Sequence, residues 1–192
     1  MGEYALLVMV DGTMRWIGPH YQAGFAGRRL IVVVEAHPRE AEGFRVGRGL
    51  EAVLVPGYLD ESVKHRQLTD LARMVLGHVA ERQECVEFYQ SVALVNIPEA
   101  ACAAGRLANE PEWSGVGQEL SAVVQELKPE CVLVLGERLA EEVRTKWPAE
   151  QARIEQTQTI GRAPELCYAA HPAARSFAFR DQWNVTRQLR AP

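Results

Sequence analysis

Five consecutive apolar residues, Leu30 to Val34, follow Arg28-Arg29 without a polar interruption. Unbroken aliphatic runs of this kind belong to strands covered on both faces, where neither side of the pleat meets water. Three further runs share the pattern: residues 91–96 before Pro98, residues 130–136 ending in a glycine, and residues 165–170 ending at His171-Pro172. Proline lacks the donor a ladder needs, and glycine brings no side chain to pack, so each run has a physical stop.

Between the runs the period becomes helical. Leu68, Leu71, Ala72, Val75, Leu76 and Val79 fall close to i, i+3, i+4, i+7 and predict a helix over 60–82. Leu120, Val123, Val124 and Leu127 predict a second over 114–127. Leu139, Ala140 and Val143 predict a third over 137–147, which Pro148 should stop. Phe177, Phe179, Trp183, Val185 and Leu189 give an incomplete apolar face to a helix over 176–189. Residues 4–10 read as a strand or a short packed helix, residues 40–57 with their four glycines as an irregular loop, and residues 149–164 as polar and aperiodic.

Strands alternating with helices predict an α/β fold, a three-layer α/β/α sandwich around a four-stranded, mainly parallel sheet. At 192 residues and 47% hydrophobic content, one domain over residues 1–192 is expected. In such folds ligands bind beyond the carboxyl ends of the strands. A net charge of -4 gives no global attraction to nucleic acid, so contact with it would need a local basic surface. The four cysteines have no metal-ligand spacing, and Cys131 and Cys167 lie in apolar runs as buried reduced thiols do. A cytoplasmic protein is the expectation. Residues 4–10 are too short to span a bilayer and no basic stretch precedes them, which reads as neither anchor nor signal peptide.

Three strand ends carry groups with chemistry. His171 is displayed on a turn of fixed exit direction, where an imidazole N–H could meet a ligand oxygen that gains charge in a transition state, or simply close the strand. Glu35 ends five aliphatic residues, a place for a carboxylate that positions water or stabilises a cation, or that forms a salt bridge or caps a helix. Asn96 offers an amide donor and acceptor, enough to read a nucleobase edge or to make an Asx-turn before Pro98. His37 is either a second ligand contact or a surface turn residue. Arg175, Arg180, Arg187 and Arg190, opposed only by Asp181, would suit phosphates or form a solvated helix face. Gly136-Glu137-Arg138 has the form of a strand-to-helix turn that binds phosphate, without a Walker lysine or GxGxxG.

In order along the chain, these landmarks resemble the uracil-DNA glycosylase superfamily, and within it a small branch whose first strand reads like LLLGESHY and whose late turn reads HPS. Val32-Val33-Val34-Glu35-Ala36-His37-Pro38 and His171-Pro172-Ala173 correspond to these, and Leu94-Val95-Asn96 resembles the strand that ends in a base-reading asparagine. Leu127-Lys128-Pro129-Glu130-Cys131-Val132-Leu133-Val134-Leu135-Gly136 is similar to the LkPdvvlvlG segment. The resemblance implies a nucleotide turned out of the DNA stack and hydrolysis of its N-glycosidic bond, with no cofactor and no metal. It implies that His171 contacts the base oxygen, that Asn96 reads the base edge, that Glu35 matches the glutamate of a GEAPG motif, and that Phe44 stacks on the base. Val34 stands where the first motif opens on glycine, and Ala36 where uracil-specific enzymes carry the aspartate that handles water. These two departures imply the alternative, a member that binds nucleic acid or a nucleotide without cleaving it.

Overall fold

Leu30–Glu35 forms β3, and its first five side chains are all buried because strands flank it on both sides and helices pack above and below. The computed structural model describes residues 9–10, 13–35, 54–97, 110–156, 163–172 and 189. Before β3 come β1 (Met9–Val10) and β2 (Thr13–Ile17). After it follow α1 (Val55–Leu59), α2 (Arg66–Leu76), α3 (Arg82–Ser91), β4 (Val92–Ile97), α4 (Glu110–Leu127), β5 (Cys131–Leu135), α5 (Glu137–Gln156) and β6 (Glu165–Ala169). The sheet order is β1-β2-β4-β3-β5-β6. β4, β3, β5 and β6 are mutually parallel, while β2 runs antiparallel to β4 and β1 antiparallel to β2.

The fold is therefore mixed α/β with a mostly parallel sheet, and it exceeds the four strands read from the sequence. The additions are β1 and β2, and β2 carries Arg15 and Trp16 in a short alternating segment. Trp16 is buried and its Nε1 donates to the Tyr89 carbonyl at 2.8 Å. Arg15 is also nearly buried, with its guanidinium on Glu126 of α4, so a charged residue interrupts what would otherwise read as a strand.

Side chains alternate across a strand, and that period divides the core in two. Leu30, Val32 and Val34 join Val92, Leu94, Leu133 and Leu135 in a cluster with α1, α2 and α3. Ile31 and Val33 join Ala93, Val95, Ile97, Val132 and Val134 in a second cluster with α4 and α5.

The helix expected over 60–82 is instead α2, bounded by chemistry that apolar periodicity does not report. His65 caps it by accepting from the Leu68 N–H at 3.4 Å, and Gly77 ends it at φ 79°, the left-handed conformation common after a helix. Val79, assigned to the apolar stripe, is 77% exposed. α5 continues past Pro148, contrary to the expected stop. Trp147 and Ile154, both buried in the second cluster, hold the helix on either side of the bond that proline cannot donate. Of the helix read over 176–189, only Leu189 lies within the described residues, where it is helical and buried. The described cysteines Cys85, Cys131 and Cys167 are buried and free, with the last two sulfurs 3.9 Å apart.

α3 begins with a reciprocal cap in which the Glu81 N–H donates to Glu84 at 2.8 Å and the Glu81 side chain accepts from the backbone of Glu84. The backbone bond from Glu81, then the neighbouring His78, holds the Glu84 carboxyl below its ordinary value. The unfolded chain therefore takes up this proton more readily. Stability contributed above the unfolded pKa is lost as pH falls through the lower folded one. Glu84→Gln is expected to flatten the acid side of the stability profile, read as the urea midpoint against pH; an unchanged slope would mean the cap carries no linkage.

Candidate functional site

Parallel register brings the carboxyl ends of four strands to one edge. Val34 pairs with Asn96 and with Leu135, and Leu135 pairs with Ala169, two residues before His171. Glu35, Asn96 and His171 thus all end strands, or follow them closely, at the same edge of the sheet. From β4 to β6 is three inter-strand steps, about 14 Å, which sets the backbone separation across that edge.

The chain passes outward from β3 to β4 on one side and from β5 to β6 on the other, so the direction switches between β3 and β5. Crevices form at such switch points because the connections leave in opposite directions. Glu35 stands on one side of this one and Gly136 on the other. Gly136 accepts the first helical hydrogen bond of α5, from the Ala140 N–H at 3.0 Å, and its own N–H reaches the Ala169 carbonyl at 3.4 Å. Its φ is 117°, and a Cβ built there would lie 2.7 Å from Glu35 Oε2 and 3.0 Å from Glu35 Cβ. The Glu35 carboxylate therefore lies against the start of a 20-residue helix, where the helix dipole favours negative charge. Of the uses the sequence left open for Glu35, this geometry supplies the helix-terminal one directly.

A cavity of about 660 Å³ opens at the same place, lined by Glu35, Glu137, Arg138, Glu141 and Glu142. Arg138 stacks over Trp113 of α4 at 4.5 Å, and Glu142 pairs with Lys146. Four carboxylates against one guanidinium repel phosphate and stabilise positive charge. The phosphate-binding form of the Gly136 turn is thus answered by an acidic lining. The sequence placed Glu137 only in a phosphate-type turn and gave no sign of Glu141 and Glu142, although spacings of four and five residues on one helix were visible.

Alternation separates the candidates further. Asn96 continues the register of Val92 and Leu94, which face α1–α3, whereas Glu35 continues that of Ile31 and Val33, which face α4 and α5. Asn96 is 1% exposed and His171 5%. The edge gathers all three residues, but Glu35 and Asn96 leave it from opposite faces. His37, Phe44 and Arg175 lie outside the described residues. Among the described residues, no group of three or more His, Cys, Asp or Glu could hold a metal ion, and no helix is long and apolar enough to cross a membrane. No protein family, curated protein or solved structure matches this chain.

Proposed function

We propose that this chain is a uracil-DNA-glycosylase-like α/β/α sandwich that receives a nucleotide turned out of DNA at the carboxyl edge and hydrolyses its N-glycosidic bond. The observation that supports this most is the convergence of Glu35, Asn96 and His171 on one edge, around the switch point of the sheet. In this reading Asn96 hydrogen-bonds the base edge and His171 donates to a base oxygen. As the bond from C1′ to the base nitrogen breaks, the electron pair leaves with the base and its oxygen gains negative charge, strengthening the His171 bond. The sugar becomes cationic, and the carboxylates around Glu35 stabilise it until water adds at C1′ and its proton passes to the departed base anion.

A second reading, binding without cleavage, is favoured by two particulars. Val34 is fully buried beside Asn96, where the resembling motif has glycine, and Glu35 is engaged at the start of α5 on the other face. Duplex and single-stranded oligonucleotides carrying uracil, hypoxanthine or xanthine separate the readings when abasic sites are revealed by alkaline scission. Base release from at least one substrate is the expected result. Salt-sensitive binding without release would establish the second reading, and neither binding nor release would overturn both.

A further inference from the structure

A second cavity, of about 500 Å³, lies among α1, α2 and α3, and its lining includes Tyr58, Lys64, His65, Thr69 and Arg82. Its charge is the reverse of the acidic crevice. Lys64, Arg66 and Arg82 face it with Glu61 as the one lining carboxylate, and Arg66 is committed to Asp70 at 3.4 Å. Lys64 makes no ion pair among the described residues.

Arg82 is held by one arm and left incomplete at another. Its guanidinium stacks over the Tyr58 ring at 4.1 Å and one amine donates to the Tyr58 carbonyl, while Nε lies 4.0 Å from Glu61. Nη1 is buried with no acceptor among the described residues. A buried donor without an acceptor is costly, and a guanidinium suits the oxygens of a phosphate or carboxylate.

Among the remaining polar groups one ring nitrogen of His65 is a donor, while the Thr69 and Tyr58 hydroxyl protons are spent within the wall. His65 Nδ1 accepts the Leu68 N–H, so the neutral ring carries its proton on Nε2. Burial lowers the His65 pKa, which keeps that neutral form in place near neutrality. Thr69 donates its hydroxyl to the His65 carbonyl at 3.4 Å, leaving Tyr58 to donate to Thr69 at 2.9 Å. Tyr58 and Val63 add an apolar wall, and the volume exceeds what a bare oxyanion fills.

We propose that this cavity binds a small phosphate monoester with an apolar body, its phosphate toward Lys64, His65 and Arg82 and its body against Tyr58 and Val63. The site is separate from the carboxyl-edge crevice and does not depend on its function.

The test is a melting-temperature titration of the full chain with phenyl phosphate, and in parallel with inorganic phosphate, at constant ionic strength. Phenyl phosphate is expected to raise the midpoint saturably, with inorganic phosphate binding more weakly. Arg82→Gln should weaken phenyl phosphate about tenfold or more, as loss of a charge-assisted bond does. Because Arg82 also supports Tyr58, Lys64→Gln provides the independent arm: about three- to tenfold weaker binding with the unliganded midpoint unchanged. His171→Ala should bind as wild type does. A shift no greater than sodium chloride produces, or equal affinity in both cavity variants and wild type, would overturn the site. Tighter binding of a 5′-phosphorylated oligonucleotide would overturn the small-molecule assignment.

Discussion

Gly136→Ala is expected to destabilise the protein by about 3 kcal/mol, combining a backbone conformation that side chains rarely adopt with a steric conflict. The backbone part follows from φ 117°. The steric part follows from a Cβ placed 2.7 Å from Glu35 Oε2 and 3.0 Å from Glu35 Cβ. The carboxylate end can swing aside, but doing so removes it from the start of α5 and moves charge within the crevice. For a chain of 192 residues the loss corresponds to a fall in melting temperature of roughly 6–12 °C. A double-mutant cycle isolates the contact: in a Glu35→Ala background the same glycine replacement should cost about 1 kcal/mol less. Equal cost in both backgrounds would show that Glu35 does not lie over this turn.

Trp16→Ala should cost more still, about 4 kcal/mol in urea unfolding, because it empties a fully packed aromatic site and deletes a buried hydrogen bond. Trp16 is 2% exposed and belongs to the cluster that holds Leu30, Leu94, Phe88 and Tyr89. Trp16→Phe retains most of the apolar contact and loses the 2.8 Å bond to the Tyr89 carbonyl, so about 1–2 kcal/mol is expected. The pair of variants tests the antiparallel strand itself. If β2 did not lie along β4 in the register Trp16 to Leu94, alanine there would resemble an ordinary surface change, within about 0.5 kcal/mol.

That strand also shows where sequence reading reached its limit. β3, β4 and β5 were legible because strands inside a parallel sheet bury both faces and so appear as continuous aliphatic runs, whereas β6, an edge strand with only Cys167 buried, was marked by the His171-Pro172 stop after it. β2 was hidden because its Arg15 is buried through an ion pair with Glu126, more than a hundred residues away, which local pattern cannot reveal. α3 was hidden for a different reason. Its buried Cys85, Phe88 and Tyr89 span little more than one turn, and its start is marked by a Glu81–Glu84 box rather than a serine or threonine. Pro148 misled in the opposite direction, since burial of Trp147 and Ile154 carries α5 past it.

The candidate site was legible in part for the same physical reason as the strands. Turn residues after each run marked Glu35, Asn96 and His171 as strand-end positions, and parallel pairing brought those ends to one edge. Which face each side chain takes depends on register and on which helices cover which face. Neither is written in a single run, and so the separation of Glu35 from Asn96 emerged only from the fold.

We propose that chemistry at this edge releases a base, with His171 stabilising the charge that forms on it. The most direct measurement is the single-turnover rate of abasic-site formation by wild type and His171→Ala, on whichever of the uracil, hypoxanthine or xanthine oligonucleotides responds. Loss of one preorganised donor to a developing oxyanion predicts a rate lower by about 10²- to 10³-fold, measured at a temperature where the variant is folded. Release by the variant at the wild-type rate, or no release by wild type from any of the three, would contradict it.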